Sequence, residues 1–276
     1  MKALELHSLH ANVSEDGSIL KITLEHGRVN EMGSTELRDW ESITDRLNDG
    51  QFRALLTTSN KVTRSGKRVF IAGANVTERA EWTSDQVKAH VRWQRTTLAA
   101  LRQAPVFHVT IVDGLALGWG TEFMIAADYR IGTQDARFAL PETSIGILPG
   151  AGGTSELSRI VGPNQTLRLG MTGEQISAEE ALRIGLIDEL FDSKEEAIAR
   201  GTALAQLAAQ RSPTATAAFK KGVLASLSMA ADERAELEAR AYELCVDSGE
   251  AAIGRANFKA ITAGESVAWG PLKNLD

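Results

Sequence analysis

The amino-acid sequence predicts an α/β fold followed by a region made of helices alone. Short apolar or β-branched segments alternate with amphipathic segments up to about residue 194, and this alternation is typical of strands connected by helical crossovers. After about residue 205 the chain is rich in Ala, Glu and Leu and shows no strand pattern. We therefore predict two regions, an α/β core over residues 1–205 and a helical region over residues 206–276.

The first half of the chain carries clear strand and helix patterns. Residues 19–24 alternate between apolar and polar side chains, which predicts a strand. Residues 34–48 carry apolar side chains at three- and four-residue steps, which predicts an amphipathic helix with one buried face. The same reasoning predicts strands at residues 54–58, 69–71 and 106–112, and a helix at residues 82–101.

The second half repeats this pattern and then changes. A helix is predicted at residues 118–127, strands at 129–132 and 136–139, and another helix from about residue 153. Helices rich in Ala, Glu and Leu are predicted at residues 195–210, 213–227, 230–247 and 251–261. Because these last helices are apolar, we expect them to pack against the core or against another subunit.

The composition excludes several classes of protein. The 276 residues include 30 Lys and Arg against 36 Asp and Glu, and the formal charge of -6 disfavours binding to nucleic acid or anionic membranes. Cys245 is the single cysteine, which excludes an internal disulfide framework and a Cys-rich metal site. No apolar run approaches about 18 residues, and the N-terminus lacks the pattern of a signal peptide. We expect a cytoplasmic protein with no metal ion.

Three segments carry residues suited to catalysis. In the first, at residues 70–75, a predicted strand ends in the small residues Ala72, Gly73 and Ala74. Small residues let the backbone approach a ligand closely, so this segment is suited to donate a backbone N–H to an oxygen atom. A tight turn without a ligand is the alternative interpretation.

The second segment, residues 113–123, places Gly118 and Gly120 at the start of a predicted helix. Free N–H groups and the positive end of the helix dipole favour negative charge at such a start. Glu122 lies in the first turn, and apolar residues follow it. We expect Glu122 to be partly buried, with a raised pKa suited to acid–base chemistry. The alternative is a glutamate that only stabilises the helix end.

The third segment, residues 139–154, contains Glu142 in an apolar setting, followed by a glycine-rich run. Glu142 is a second candidate for acid–base chemistry, and a solvated loop carboxylate is the alternative. The sequence lacks a phosphate-binding loop, a dinucleotide-binding fingerprint and a Gly-x-Ser-x-Gly nucleophile elbow. Its five histidines are scattered without the spacing of metal ligands.

Together these segments resemble the crotonase, or enoyl-CoA hydratase/isomerase, superfamily. The matching motifs lie at residues 70–75, 113–122, 141–142, 149–154, 171–186 and 255–259, in the order that the family has. The resemblance extends over about residues 19–260, which is most of the chain. It implies a superhelix of repeated ββα turns with a C-terminal helical trimerisation region, and assembly as a homotrimer or a dimer of trimers.

The resemblance also implies a substrate and the residues that bind it. The substrate is an acyl-CoA thioester, with coenzyme A as part of the substrate and no separate cofactor. The thioester oxygen would accept hydrogen bonds from the backbone N–H groups of Ala74 and Trp119, and one such oxyanion-hole donor typically contributes about 3 kcal/mol. The residues implied in binding the substrate and its coenzyme A are Arg68, Ala72, Gly73, Gly118, Gly120 and Lys259.

The two glutamates separate the reactions of the superfamily. Glu122 matches the position that activates water at the β-carbon, and Glu142 matches the position that delivers a proton to the α-carbon. Hydratases use both residues, whereas isomerases often keep one. The pair therefore predicts an enoyl-CoA hydratase, a carbon–oxygen lyase that adds water across the 2,3 double bond of a 2-enoyl-CoA.

Three residues depart from the common pattern of the family. Trp119 stands where short-chain hydratases usually have glycine, Asn75 replaces an aspartate and Thr77 replaces a lysine. We expect the Trp119 indole to shape the pocket and to alter the preference for the acyl group. The alternatives that stay open are an enoyl-CoA isomerase, a hydrolase of a thioester or of a β-diketone C–C bond, and an RNA-binding or scaffold relative, although the acidic charge opposes RNA binding.

Overall fold

The computed structural model describes residues 5–273, and it confirms the predicted α/β core followed by helices. Residues 1–4 and 274–276, at the ends of the two predicted regions, lie outside the described residues. The strands are β1 (His10–Val13), β2 (Ile19–Leu24), β3 (Ala54–Ser59), β4 (Val69–Ile71), β5 (Phe107–Val112), β6 (Leu115–Leu117), β7 (Tyr129–Thr133), β8 (Arg137–Ala139), β9 (Ile176–Ser177) and β10 (Glu189–Phe191).

The α-helices and two 3-10 helices lie between and after these strands. The α-helices are α1 (Ser34–Asn48), α2 (Ser84–Gln103), α3 (Trp119–Met124), α4 (Glu156–Thr172), α5 (Ala178–Arg183), α6 (Lys194–Ala209), α7 (Pro213–Ser226), α8 (Ala231–Asp247), α9 (Glu250–Ala256) and α10 (Phe258–Thr262). The 3-10 helices are Thr77–Arg79 and Pro141–Ile145, and the second contains the predicted catalytic residue Glu142.

The strands form two sheets, and the strands from β3 to β8 alternate between them along the chain. The larger sheet has the order β1-β2-β3-β5-β7-β10, and the smaller has the order β4-β6-β8-β9. Three consecutive strand pairs each contribute one strand to the larger sheet and one to the smaller sheet: β3 with β4, β5 with β6, and β7 with β8. A helix follows each pair. Strands from successive pairs are parallel neighbours. These units confirm the predicted repeat of ββα turns.

The larger sheet is buried on both faces. On one face, side chains such as Leu20, Ile22 and Leu55 join the main core together with residues of α1 and α3. On the other face, Ile111 packs beneath α6, where a Cβ added at Gly201 would lie 3.0 Å from the Ile111 side chain. Because both faces are covered, every residue of β3 is buried.

The predicted helices are confirmed to within a few residues, with two interruptions. Inside α4, Gly162 has a φ of 78° and a ψ of 165°, and Pro163 follows it, which kinks the helix. The helix predicted at residues 251–261 is divided at Asn257, whose φ of -107° and ψ of 18° are not helical. α9 and α10 are therefore separate short helices.

Four short strands, β1, β6, β9 and β10, have no counterpart in the prediction. β1 lies at the edge of the larger sheet, and its side chains are largely exposed, so its residues show no alternation of burial. β6 has three residues and lies inside the glycine-rich segment at 113–123. A strand of two to four residues contains too few positions for a period of two to be recognised, and its neighbours in the sheet decide its conformation.

The helices after the core agree with the prediction of a helical C-terminal region. The predicted boundary at residue 205 falls inside α6, where Ala205 is buried with residues of the larger sheet, and the division into two domains stays a prediction. α7 and α8 pack on each other, but their Phe219 and Tyr242 side chains are each 74% exposed. Among residues 5–273, no helix is long and apolar enough to cross a membrane.

Candidate active site

The three predicted segments meet because three parallel strands end at the same edge of the smaller sheet. β4, β6 and β8 are neighbours in that order, and each leads into one of the segments. A Cβ added at Gly73 would lie 3.6 Å from the carbonyl oxygen of Leu117. The Gly118 N–H donates a hydrogen bond to the Ala139 carbonyl oxygen at 2.9 Å. The carboxyl ends of these strands therefore form one site, as is common in open parallel sheets.

The segment after β4 presents the N–H of Ala74. Gly73 has a φ of +100°, a conformation that favours glycine. Its carbonyl accepts a hydrogen bond from the Met32 N–H at 3.0 Å, and the Asn75 N–H donates to the Met32 carbonyl at 2.8 Å. These two bonds hold the residues on both sides of Ala74. The Ala74 N–H itself has no acceptor within residues 5–273, so it is available to a ligand.

The segment after β6 presents the N–H of Trp119. Gly118 has a φ of 54° and a ψ of -119°, and Trp119 is the first residue of α3. The first N–H groups of a helix have no acceptor inside the helix, and the described chain offers none to Trp119. Glycine is required at Gly120, because a Cβ there would lie 2.2 Å from the carbonyl oxygen of Ile71.

Glu122 is buried in the first turn of α3 and is held by the glycine-rich loop. Glu122 is only 2% exposed. Its Oε1 accepts hydrogen bonds from the N–H groups of Ala151 at 2.7 Å and Gly153 at 2.9 Å. Burial raises the pKa of Glu122, and these backbone bonds act in the opposite direction by stabilising the carboxylate. The expected burial of Glu122 is confirmed.

Glu142 lies beside the start of the helix that bears Glu122. A Cβ added at Gly118 would lie 2.6 Å from Glu142 Oε1, which places this carboxyl group against the Gly118 backbone. Glu142 Oε2 is buried and has no hydrogen-bond partner in the described part of the chain. Burial is the largest cause that raises the pKa of Glu142 to about 7; a backbone hydrogen bond at Glu142 opposes it, and the charge of Glu122 adds a smaller rise. Glu142 is therefore half protonated near neutral pH and is not a fully solvated loop carboxylate.

The arrangement combines two free N–H donors with two carboxyl groups of different surroundings. Free N–H groups at a helix start stabilise negative charge that develops on an oxygen atom. A carboxylate fixed by two N–H donors is suited to orient water or to accept a proton, whereas a carboxyl group with a pKa near 7 is suited to donate one. Among residues 5–273, no three or more His, Cys, Asp and Glu side chains are grouped to hold a metal ion, and the absence of a metal stays a prediction.

The residues predicted to contact coenzyme A are less clearly related to the site than the two glutamates are. Arg68 Nη1 lies 3.0 Å from Asp113 Oδ1, so this guanidinium already has a carboxylate partner, although 47% of the side chain is exposed. The Ala72 N–H is bonded to a backbone carbonyl at 3.1 Å. Lys259 is exposed on α10. The parts that these residues play in binding a substrate stay predictions.

The structure shows the surroundings of two residues that depart from the family pattern, Trp119 and Asn75. The Trp119 side chain lies in the core, where Trp119 is 2% exposed and its ring centroid is 5.5 Å from that of Phe123. Its effect on the acyl group stays a prediction. Asn75 Oδ1 accepts hydrogen bonds from Thr77 Oγ1 at 2.6 Å and from the Glu78 N–H at 3.3 Å, so Asn75 helps to start the 3-10 helix after Ala74.

Sequence reasoning missed residues on α2 that lie next to the site. Arg95 Nε donates to the Gly150 carbonyl at 2.8 Å, so α2 supports the loop that holds Glu122. On the same helix, His90 and Gln94 are polar but only 5% and 3% exposed. These two residues are four positions apart and share a face with Leu98. Polar residues at helical spacing on an apolar face are the signal that would have identified them.

Comparison with known proteins identifies the family. The family model described as enoyl-CoA hydratase/isomerase matches residues 14–260. The chain belongs to the enoyl-CoA hydratase/isomerase family. This result confirms the resemblance inferred from the motifs and agrees with the repeated ββα turns of the core.

Individual relatives agree with this family. The chain is 36% identical over 169 residues to fatty acid oxidation complex subunit alpha of Idiomarina loihiensis, a match that covers 60% of this chain and 23% of that protein. It is 27% identical over 235 residues to the short-chain-enoyl-CoA hydratase of Clostridium acetobutylicum, covering 84% of this chain and 88% of that protein. The crystal structure of enoyl-CoA hydratase from Bacillus anthracis has a TM-score of 0.86 at 27% identity, covering 95% of this chain and 99% of that one.

Proposed function

We propose that this member of the family is a 2-enoyl-CoA hydratase. The observation that supports the proposal is the meeting of two glutamates around Gly118. Glu122 follows Gly118 by one helical turn, and the Glu142 carboxyl group lies against the Gly118 backbone. Addition of water to a conjugated thioester needs one group to accept a proton from water and another to deliver a proton to carbon. The two carboxyl groups would supply these two functions.

In the proposed reaction, each group takes the role that suits its surroundings. The thioester oxygen accepts hydrogen bonds from the Ala74 and Trp119 N–H groups, which stabilise the enolate that forms. Glu122, oriented by the Ala151 and Gly153 N–H groups, takes a proton from water in its carboxylate form as the water oxygen bonds to the β-carbon. Protonated Glu142 delivers its proton to the α-carbon. One proton then passes from Glu122 to Glu142, which restores both groups.

A hydration assay tests the proposal. Purified protein is mixed with crotonyl-CoA, and the absorbance of the conjugated thioester is followed together with the formation of 3-hydroxybutyryl-CoA. We expect turnover by the wild type, and a loss of at least about 100-fold in kcat for Glu142→Gln with little change in binding of a saturated acyl-CoA. Glu15→Gln, which removes an exposed carboxylate far along the chain from the site, serves as the matched control. Wild-type turnover by Glu142→Gln would contradict the assignment.

An isomerase is a second candidate, and one observation favours it. Glu122 Oε1 is occupied by two backbone N–H donors, whereas Glu142 Oε2 has no protein partner in the described residues. A single carboxyl group with a pKa near 7 is able to accept a proton at one carbon and return it at another. A 3-enoyl-CoA distinguishes the reactions, because an isomerase raises the conjugated absorbance and keeps this activity in Glu122→Gln. A hydratase loses activity in that variant.

We also propose that the chain assembles as a homotrimer or a dimer of trimers through its C-terminal helices. The support is apolar surface that the single chain leaves exposed on α7 and α8, where Phe219 and Tyr242 are each 74% exposed, and at Leu227 directly after α7, which is 54% exposed. Large exposed apolar side chains in neighbouring positions are typical of subunit contacts. Light scattering after size exclusion gives the mass, and a monomer at micromolar concentration would contradict the proposal.

A further inference from the structure

Four polar side chains near the segment that presents the Ala74 N–H carry buried atoms without hydrogen-bond partners among the described residues. The group consists of Glu78 and Arg79, from the 3-10 helix that follows Ala74, and of His90 and Gln94 from α2. The buried atoms without a hydrogen-bond partner among residues 5–273 are Glu78 Oε1, Arg79 Nε, Arg79 Nη2, His90 Nε2 and Gln94 Nε2. Buried polar atoms are nearly always paired in folded proteins, so a concentration of unpaired atoms requires an explanation.

Both elements that bear this group are joined to the proposed site. Arg79 is five residues after Ala74, and Glu78 Oε2 accepts a hydrogen bond from the Ser34 N–H at 3.1 Å, which fixes the segment against the start of α1. On α2, Arg95 follows Gln94 and donates to the loop that holds Glu122. The group is therefore connected along the chain both to the segment with the Ala74 N–H and to the helix that supports the Glu122 loop.

The members of the group are close to one another. His90 Nε2 lies 3.5 Å from Glu78 Oε1, which is beyond a good hydrogen bond. Burial, and then the Arg79 charge, lower the pKa of His90, so the ring is neutral near pH 7 and has one N–H to donate. Gln94 lies one helical turn after His90 on the same buried face. Nitrogen donors outnumber the single oxygen acceptor, so the missing partner is mainly an acceptor of hydrogen bonds.

The geometry of Arg79 indicates the kind of acceptor. Its Nε and Nη2 form one edge of the guanidinium plane, and both are buried and unpaired in the described structure. This edge matches the two oxygens of a carboxylate, which bind guanidinium through two parallel hydrogen bonds. A lysine or a single amide would not provide the same planar pair of donors.

We infer that Arg79, with His90 and Gln94, binds a carboxylate carried by the acyl group of the substrate. The inference rests on the proposed function, because it takes the substrate to be an acyl-CoA whose thioester lies at Ala74 and Trp119. The substrate class is then a thioester of a dicarboxylic acid. Glu78 Oε1 is left to accept a hydroxyl group of the ligand, because the single N–H of neutral His90 is used by the carboxylate.

Direct binding of saturated thioesters tests the inference without requiring turnover. Calorimetry compares glutaryl-CoA with pentanoyl-CoA and adipyl-CoA with hexanoyl-CoA, so that each pair differs in the terminal carboxylate. We expect the wild type to bind the carboxylated member of at least one pair about 10- to 100-fold more tightly. Equal affinities within both pairs would overturn the inference, as would equal binding of the methyl ester of the preferred thioester.

Variants assign the preference to Arg79. Arg79→Gln removes the charge and the paired donors and is expected to abolish the preference, whereas Arg79→Lys keeps the charge and is expected to keep part of it. Arg92→Gln, at an exposed position on α2, removes the same charge and is expected to leave the preference unchanged. Persistence of the full preference in Arg79→Gln would overturn the inference.

Thermal stability separates a binding role from a structural one. A buried guanidinium edge without a partner destabilises the free protein, so Arg79→Gln is expected to melt at the same temperature as the wild type or higher. A lower melting temperature with no change in preference would show that Arg79 is structural. Hydration of crotonyl-CoA without any carboxylate preference would refute this inference alone, and a carboxylate preference without turnover of any 2-enoyl-CoA would refute the hydratase proposal alone.

Discussion

Replacement of Gly118 by alanine tests how closely the backbone and Glu142 are linked. The new Cβ would lie 2.6 Å from Glu142 Oε1, and the φ of 54° is unfavourable for alanine. The carboxyl group is the far end of a flexible side chain, so it can move away by about half an ångström at little cost in stability. The backbone cannot relax in this way, and a non-glycine residue in such a conformation costs about 1–3 kcal/mol.

Two different losses follow from these two effects. The backbone strain should lower the melting temperature by about 2–10 °C for a chain of this size. The displaced carboxyl group should lower kcat for hydration by about tenfold or more, since a misplacement of about 1 Å can cost a factor of about 100. Gly66→Ala is the matched control, because Gly66 has a φ of +79° and nothing within 4 Å of the added Cβ. It is expected to lose stability and to keep its activity.

The double variant Gly118→Ala with Glu142→Gln identifies the cause of the lost activity. If Gly118→Ala acts by displacing the Glu142 carboxyl group, it will slow the Glu142→Gln protein much less than it slows the wild type. Initial rates on crotonyl-CoA and thermal melts are measured for all four proteins. Full wild-type activity of Gly118→Ala, or equal slowing in both backgrounds, would refute the close contact on which this reasoning depends.

Three further predictions address the pH dependence, the core and the assembly. Burial, and to a smaller extent Glu122, raise the pKa of Glu142 to about 7. A reaction that needs protonated Glu142 should therefore slow as the pH rises through about 7. A flat kcat profile from acid to alkaline pH would contradict this. Lys220 Nζ lies 2.8 Å from Asp128 Oδ2 with both side chains largely buried, so Lys220→Met should lower the free energy of unfolding in urea by about 3 kcal/mol; a change below about 1 kcal/mol would refute this role. Phe219→Glu should reduce the mass measured by light scattering while a circular dichroism spectrum stays unchanged, and an unchanged mass would exclude this surface from the assembly.

The parts of the fold that the sequence predicted are those with a strong local pattern. α1 was predicted at its observed bounds because its apolar residues define one face over four turns. The burial of Glu122 was predicted because the residues after it are apolar on nearly every side of the helix. In each of these cases the information lies within about 15 consecutive residues, which is the range in which periodicity can be read.

The features that the sequence did not predict depend on contacts between separate elements of the fold. The N–H groups of Ala151 and Gly153 hold Glu122 from 29 and 31 positions away, and a glycine-rich run does not indicate which side chain it will hold. Arg79 and His90 are 11 positions apart but lie on different elements, and no single periodicity indicates that the 3-10 helix brings Arg79 close to His90. The three-residue strand β6 exists because β4 and β8 flank it.

The two glutamates are subject to different influences on their pKa within one small site. Glu122 is more deeply buried than Glu142, yet it receives two backbone N–H bonds that favour its carboxylate form. Burial is the main cause that raises the pKa of Glu142 to about 7; a backbone hydrogen bond opposes it, and the charge of Glu122 adds a smaller rise. The loop bonds favour the charged form of Glu122, and that charge adds to the rise in the pKa of Glu142 that burial mainly causes. A variant that weakened the hydrogen bonds from Ala151 and Gly153 to Glu122 would therefore be expected to change the pKa of Glu142, although Glu142 itself would be unaltered.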